Sequence, residues 1–367
     1  MQKDSVAVIG AGTAGLVYSR RAAQLGLDVT VYDQNPAPGN PVKASGILSL
    51  NCLESIGVKY SRIEANPLCG ARIHAGGAVM EIRSARPQAM AINRLRLNEL
   101  CLDQAAAAGV RIETGRRMVA AELERVSEKS IVVGADGFNS AVARHFSFPD
   151  QLLHVLTYRA EYDAAAEDPS MVDLFFDRNL SPGFFAWIAP ESRTTVEAGI
   201  GISPGHGNAK AAFERFMRSC TSGLPDGARL RSAYASVIPI ELRSRFVDDE
   251  RDVMLVGDAA GQVKPTTGGG ISFGSAAALM AAQATKARLQ GGARLSAYEK
   301  AWRKAYSADM AAHSVLKSIY TGISPEWMAR MIRLMNALGV QGFLGTHGDM
   351  DRPTLTLKRV IARWSRN

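Results

Sequence analysis

Cysteine is scarce in this chain: Cys52, Cys69, Cys101 and Cys220 are the only four in 367 residues, and no two are spaced C-x-x-C. That is too few for a disulfide scaffold and offers no thiol-based metal motif, so a reducing, cytoplasmic setting and no metal site are expected. Long apolar runs are also missing. Nothing approaches the ~20 residues that cross a bilayer, and the first strand begins at Ser5, too early to leave room for a signal peptide. Hydrophobic residues at 47% and charged residues at 21% describe an ordinary globular chain rather than a disordered one. The length suffices for two domains sharing a core. Acidic residues fall short of basic ones, leaving a net charge of +8 and a pI near 9.4. That balance points to anionic partners, phosphate or anionic lipid. Nucleic acid is not expected, because no binding motif accompanies the charge. No internal repeat or low-complexity segment is visible.

Against these absences stand two glycine-rich turns. Val6–Ile9 reads as a buried strand, followed by Gly10-Ala11-Gly12-Thr13-Ala14-Gly15 and a helix to about Gly26; Asp28–Tyr32 is a second strand ending at Asp33. Strand, G-x-G-x-x-G, helix, strand and acid, in that order, form the dinucleotide fingerprint. Gly10 makes the tight turn, Gly12 lets a pyrophosphate approach, and Gly15 lets the helix pack on the sheet. Asp33 can hold ribose hydroxyls, which favours an ADP-ribose or FAD end over a 2′-phosphate.

The second turn lies in Asp252–Ile271. Val253–Val256 suits a buried strand, Gly257-Asp258 a turn, and Gly268-Gly269-Gly270 opens an Ala-rich helix from Ile271 to about Leu289. Glycines at a helix start let backbone N–H groups approach a ligand, and the helix dipole favours negative charge there. Asp258 could accept from a sugar hydroxyl.

Between the two turns the chain changes character. Asn35–Leu48 is a Gly/Pro/Asn-rich loop, and a helical pattern resumes at Cys52–Ile56. Ala71–Ile82 alternates like strands. Met90–Asn98 leads into a helix through Ala108, and Arg94 there is either a phosphate ligand or a surface arginine. Ile131–Arg144 is a strand running into Gly134-Ala135-Asp136-Gly137, then a helix capped near Asn139 or Ser140. Val155–Tyr162, Met171–Asp177, Phe184–Ile188, Thr194–Ile202 and Leu230–Ile240 carry β-formers and suggest an antiparallel sheet, interrupted by a helix over Asn208–Cys220. Beyond the second turn the chain is helical, with a capping box at Ser296–Glu299 and a Ser324-Pro325 cap. The expected fold class is α/β with a two-domain α+β organisation. A Rossmann-like dinucleotide domain over 1–150 and 246–295 accompanies an antiparallel-sheet domain over 151–245, joined by strands near 65–90. A helical region follows over 296–367.

Three separated signals, GAGTAG with Asp33, GADGFNSAVAR, and VGDAAG followed by PTTGGGI, together resemble the FAD-binding fold of the para-hydroxybenzoate hydroxylase class over about residues 5–295. The resemblance implies one enclosed FAD, flanked by Asp136-Gly137 and Gly257-Asp258, with Asp258 on the ribityl chain. Within that class the chain is most similar to the geranylgeranyl reductase family. Asn40–Ser49, Ser181–Pro190, Ala198–Ile202 and the PTTGGGI run carry this likeness. Phe185, Trp187, Pro190 and Gly199-Ile200-Gly201 keep the spacing of the family's aromatic-Trp-Pro…G-x-G pattern. Carried over by position, Ala14, Asp33, Ala44, Ser45, Arg94, Met118, Asp258, Gly270 and Ile271 would touch FAD. Gly10, Gly12, Gly15, Asp136, Gly257 and Gly269 complete the expected cofactor set. Several departures stand out. Ala44-Ser45 replaces a common Cys-Gly, and Cys52 lies too far along to substitute without local rearrangement. Phe185 replaces a tyrosine and Ala189 a phenylalanine. Arg111–Ile131 is short relative to the family's small β-meander.

The resemblance implies saturation of isolated double bonds in a geranylgeranyl-type isoprenoid chain, by hydride from reduced flavin N5. Such chemistry needs the alkene positioned, water excluded and a proton supplied. Phe184, Phe185 and Trp187, on alternating strand positions, either line an apolar tunnel or pack as ordinary core. Ser45, Tyr158 and a flavin-bound water are candidate proton sources, none of them compelling. No second dinucleotide fingerprint is present, so the external electron donor, NADPH or ferredoxin, stays open. Leu357, Val360, Ile361 and Trp364 at helical spacing, with Lys358, Arg359, Arg363 and Arg366, suit peripheral attachment to an anionic membrane, or a helix docked on its own domain. The helices Ser296–Gly322 and Ser324–Leu338 are expected over the tunnel. The stripe Trp327, Met328, Met331, Ile332, Met335 and Leu338 reads as core rather than a lipid site. The alternative activity is an FAD monooxygenase acting on a hydrophobic substrate. A flavin halogenase, faintly echoed by Phe185–Pro190, and a non-catalytic lipid-binding flavoprotein stand further back.

Overall fold

The computed structural model describes residues 3–40, 42, 44–59, 63–219 and 228–364. Its first sheet has six strands: β1 (Ser5–Ile9), β2 (Asp28–Tyr32), β8 (Arg111–Glu113), β9 (Ser130–Gly134), β15 (Val247–Asp248) and β16 (Val253–Leu255), in the order β15-β16-β9-β1-β2-β8. All neighbours are parallel except β15 with β16. The Val-Ala-Val-Ile run of β1 is buried throughout, as expected of a parallel strand covered on both faces. Helices α1 (Thr13–Gln24) and α7 (Ile271–Gly291) pack on each other, and α1 also meets α3 (Arg94–Ala107). Their close approach follows from small side chains: Ala277, Ala278, Ala281 and Ala282 of α7 are fully buried. The Tyr18 hydroxyl and Thr285 Oγ1, 2.7 Å apart, join α1 to α7 at the far end. Each fully buried aliphatic such as Leu16 contributes about 1.5–3 kcal/mol.

The second sheet has seven strands: β5 (Gly70–Ala75), β6 (Ala78–Arg83), β10 (His154–Asp163), β11 (Met171–Phe175), β12 (Ala186–Pro190), β13 (Thr195–Ile202) and β14 (Arg229–Pro239), ordered β14-β10-β13-β12-β11-β5-β6. It is antiparallel except between β11 and β5, which run parallel because β5 arrives from the earlier part of the chain. Helix α6 (Ala209–Ser219) covers β10 and β13; Cys220 lies outside the described residues. A small sheet of β3 (Ile47–Ser49), β7 (Ala89–Ile92) and β4 (Ala65–Leu68), in that order, bridges the larger two. Short helices α2 (Leu50–Ser55), α4 (Ala120–Lys129) and α5 (Ala141–His145) fill the connections. The region beyond 295 is α8 (Ser296–Gly322), α9 (Pro325–Ala337), α10 (Val340–His347) and α11 (Pro353–Trp364).

Several expectations need correction. Phe184 and Phe185 precede β12 rather than alternating along it, because the Ser181–Gly183 turn delays the strand to Ala186. The Ser296–Glu299 capping box does not form. Asp249 Oδ1 accepts from the Ser296 N–H instead, while Glu299 accepts from the Phe246 N–H and from Arg303. Two long-range partners, Asp249 and Phe246, and the i+4 neighbour Arg303 outcompeted the local box. The shortened 111–131 stretch holds a helix, α4, begun where the Glu122 carboxylate accepts from the Val119 N–H. The apolar stripe of α9 splits in two. Met328, Ala329, Ile332 and Met335 pack on β5 and β6, whereas Trp327, Met331 and Leu338 are exposed. Ser324 does cap α9, its Oγ accepting from the Trp327 N–H at 3.4 Å.

Candidate functional site

The carboxyl ends of β1, β9 and β16 open onto a cavity of about 1750 Å³ that continues between the two large sheets. A single-ligand pocket is usually ~300–1,000 Å³, so this space has room for a dinucleotide and a second ligand. The position is the crevice where an open parallel sheet binds nucleotides.

The fingerprint glycines divide their labour as steric argument demands. Gly10 has φ +106°, and a Cβ there would lie 2.4 Å from the Ala135 carbonyl oxygen. At Gly15 a Cβ would sit 2.1 Å from the Gly10 carbonyl oxygen, so glycine lets α1 leave the turn. Gly12 differs: nothing lies within 4 Å of its missing Cβ, and the residue faces the cavity. That cradle, which a Cβ would fill, at the N-terminus of α1 suits a phosphate. Asp33 ends β2 beside it, with Oδ2 accepting from Ala11 N–H at 2.7 Å and Oδ1 from Asn35 N–H at 2.8 Å. A carboxylate has about four acceptor sites, which leaves capacity for a ribose hydroxyl.

Asp258 and Arg94 face the same space. Asp258 follows Gly257, whose φ is +65°. The turn is held by the Gln262 side chain, which accepts from the Gly257 N–H and donates to the Tyr298 hydroxyl. Asp258 is surrounded by protein yet open to the cavity; burial raises its carboxyl above the usual range, and the charge of Arg94 opposes that. Arg94 opens α3, and its Nε and Nη1 are buried without partners; only Nη2 reaches Thr13 Oγ1, at 3.5 Å. An unpaired buried guanidinium is costly and calls for an anion or a run of acceptors.

The remaining expected cofactor residues gather here too. Ala14, Ala44, Ser45 and Met118 line the cavity, as do Gly10, Gly257, Gly269, Gly270 and Ile271. Gly15 does not, in keeping with a packing role. Asp136 lines it, but its carboxylate is committed to α5. Oδ1 accepts from Ser140 Oγ, and Oδ2 accepts from the Ala141 and Val142 N–H groups. Asp136 therefore shapes the turn rather than offering a free acceptor. Pro41 and Lys43 of the Asn40–Ser49 stretch lie outside the described residues. Cys52 is buried in α2 and is absent from the cavity wall. Burial pushes its thiol up to about 12, so it holds no thiolate near the site.

Toward the second sheet the cavity becomes aromatic. Phe184 and Phe185 stack with ring centroids 4.4 Å apart, and Phe185 lies 5.8 Å from the Trp187 ring; all three line the wall. The G-x-G of β13 exists to seat them. A Cβ on Gly199 would sit 2.1 Å from the Trp187 ring, and one on Gly201 2.3 Å from the Phe184 ring. Beneath Trp187, Glu197 Oε1 accepts from Nε1 at 2.7 Å, and Oε2 accepts from Arg159 Nη1 at 2.5 Å. Arg159 also donates from Nη2 to the Val42 carbonyl, so the second sheet reaches the loop that carries Ala44 and Ser45. Tyr158, proposed above as a proton source, packs against Phe213 in a separate core and is absent from the wall.

Beyond Arg159 and Glu197, sequence reasoning missed several other contributors. Arg116 lies over the Tyr32 ring at 5.0 Å, and Asn98 donates to the Ala11 carbonyl at the cavity edge. Lys264 pairs with Asp351 at 2.7 Å, and Ser49 Oγ donates to the same carboxylate at 2.5 Å. That fastening brings Leu344, Pro353, Leu357 and Val360 into the wall. The cover thus comes from α8, α10 and α11, and no residue of α9 lines the cavity. Asn98 at a second turn of a helix, and an isolated Lys264-Pro265, carried no distinctive pattern.

Comparison with known proteins places this geometry. The family described as FAD binding domain matches residues 3–313. Digeranylgeranylglycerophospholipid reductase 2 of Methanothermobacter thermautotrophicus is 27% identical over 369 aligned positions, covering 90% of this chain and 91% of the relative. In three dimensions the chain superposes on a geranylgeranyl bacteriochlorophyll reductase-like protein of Thermoplasma acidophilum with a TM-score of 0.83 and 20% identity, over 100% of this chain and 97% of that one. It also superposes on p-nitrophenol 4-monooxygenase of Pseudomonas putida at 0.71 and 14%, over 99% and 98%; both superpositions speak to fold alone. The unpaired guanidinium, the glycine cradle and the open carboxylates fit the cofactor that this family carries. The chain belongs to the FAD-binding domain family and is an FAD-dependent oxidoreductase, similar in sequence and fold to geranylgeranyl reductases.

Proposed function

We propose that the protein saturates isolated double bonds of an isoprenoid chain carried by a prenyl lipid. The observation that carries the reading is the continuity of the dinucleotide crevice with an apolar arm walled by Phe184, Phe185 and Trp187. Bound and reduced, FAD supplies a hydride. The chain's own residues hold and shield. Gly12, Asp33, Arg94 and Asp258 would hold the cofactor, and the ring wall would align a methyl-branched stretch of prenyl chain and exclude water. Ser45 Oγ faces the cavity and could hold a proton there. An external donor, NADPH or ferredoxin, and peripheral attachment to an anionic membrane belong to the same reading. The curated relative's name, a digeranylgeranylglycerophospholipid reductase, supports the substrate class.

The test is anaerobic. Dithionite-reduced holoprotein is mixed with geranylgeranyl diphosphate or an unsaturated ether lipid. Flavin reoxidation, with product masses rising in two-hydrogen steps, is expected. A flavin that stays reduced until air is admitted, followed by an oxygenated product, would instead establish the monooxygenase alternative.

A further inference from the structure

Helix α9 has two apolar faces, and the fold uses one. Its inner face packs on β5 and β6. Its outer face carries Trp327, Met331 and Leu334, continued by Leu338, at i, i+4, i+7 and i+11; Trp327 is 60% and Leu338 70% exposed. The neighbouring helices add to it. Val315, Leu316 and Ile319 of α8 are exposed, as are Leu357 and Ile361 of α11. Soluble surfaces scatter such residues singly; a concentration on one region marks an interaction site.

The arrangement of the helices says what the site adjoins. Helix α11 packs on α8 and α10, α10 packs on α9, and α9 is joined to α8 through Ser324. The four helices form a collar, of which α8, α10 and α11 wall the cavity and α9 stands outside it against α10. Leu316 of α8 and Leu357 of α11 line the cavity, so two of the helices that carry the exposed apolar residues also wall it.

Charge says what covers it. Among the described exposed residues over 325–361, the charged ones are Arg330, Arg333, Lys358 and Arg359, against Glu326 alone. Arg330 lies 5.0 Å over the Trp327 ring, a cation and an amphipathic ring presented together. Apolar side chains interleaved with arginine and lysine match the acyl boundary and phosphate level of an anionic bilayer.

We propose that this collar is a docking face for an anionic phospholipid bilayer, seating the mouth of the cavity on the membrane so that a prenyl chain enters without crossing water. The proposal deepens the function proposed above by assigning its membrane attachment to a surface; the delivery role rests on the prenyl-lipid substrate, whereas vesicle docking is read without any substrate.

Co-sedimentation tests it. FAD-loaded protein is mixed with vesicles of phosphatidylcholine alone, or of equal phosphatidylcholine and phosphatidylglycerol. Pelleting is expected with the anionic vesicles, falling as salt rises. The combined Trp327→Ser, Leu334→Ser and Leu338→Ser variant should bind about tenfold or more weakly at unchanged flavin content and melting temperature. Arg330→Glu with Arg333→Glu should remove the preference for phosphatidylglycerol. Brominated lipid should quench the fluorescence lost in Trp327→Ser. Equal pelleting of wild type and the triple variant would overturn the proposal. So would a wild-type dimer that the triple variant converts to monomer, which would assign the face to a second copy. Vesicle binding without double-bond reduction would leave docking standing and sink the substrate reading.

Discussion

Trp187 and Glu197 are diagonal neighbours on adjacent strands β12 and β13, opposite Gly199 and Ala189 respectively, and the indole Nε1–H donates to a carboxylate that is completely buried. The bond locks the ring that forms the cavity wall, and Arg159 holds the other carboxylate oxygen. Trp187→Phe keeps an aromatic surface but strands Glu197 Oε1. Removing one partner of a buried charged acceptor costs about 1–3 kcal/mol or more. Urea unfolding should therefore show a lower midpoint at unchanged m-value, while flavin content stays near wild type because the fingerprint lies at the other end of the cavity.

Glu191 lies beside this pair, and burial, then the charges of Glu197 and Glu161, push its carboxyl up to about 8. The folded state therefore binds a proton that the unfolded chain releases near its ordinary value of 4.5. A raised carboxyl contributes stability below the unfolded value, and the contribution is lost as pH rises toward 8. Melting temperature should decline between about pH 5 and 8. Glu191→Gln, which stays neutral throughout, should flatten that slope; an unchanged slope would remove Glu191 as its source.

The two glycines of the first helix turn should behave differently on the same substitution. Gly15→Ala forces a Cβ onto the Gly10 carbonyl and should lower stability along with FAD content. Gly12→Ala meets no protein atom, so the fold should survive, but the methyl occupies the phosphate cradle. The paired readout is melting temperature of the apoprotein against flavin retained on purification. Loss of both in Gly12→Ala would contradict the cradle.

How much was legible in the sequence depended on how local each cause is. Gly10, Gly257 and Gly268 all adopt positive φ, and a turn demands such residues wherever it sits, so both glycine motifs were readable. β1 and β16 were readable because a doubly covered strand needs a continuous apolar run. The Ser296–Glu299 box failed because the Ser296 N–H found Asp249 and Glu299 found the Phe246 N–H, partners that no window around residue 296 contains. The core reading of the α9 stripe holds for Met328, Ile332 and Met335 and fails for Trp327, Met331 and Leu338, because periodicity reports a face and not what lies against it. Glu197 was invisible for a related reason. A single acid inside the β-rich segment Thr195–Ile202 gains meaning only when β10 and β12 bring Arg159 and Trp187 to it.

Lys264 and Asp351 make the same point across 87 residues, and their separation sets the last prediction. Both side chains are at least nine-tenths buried, and Asp351 also accepts from Ser49. Its carboxyl is held below the usual value by Lys264, Lys264's hydrogen bond and Ser49 against the opposing effect of burial. Breaking a buried pair from one side costs about 3–5 kcal/mol, whereas replacing both partners by apolar groups is often neutral. Lys264→Met should therefore loosen the segment Asp349–Arg352 from α2 and expose it to limited proteolysis. The double variant Lys264→Met with Asp351→Leu should regain most of the protection. Because His313 Nε2 bonds the Asp351 carbonyl rather than its carboxylate, that contact survives in both variants and keeps the comparison to the ion pair. Equal protease resistance in wild type and Lys264→Met would show that α11 is held by its packing on α8 and α10 without the ion pair.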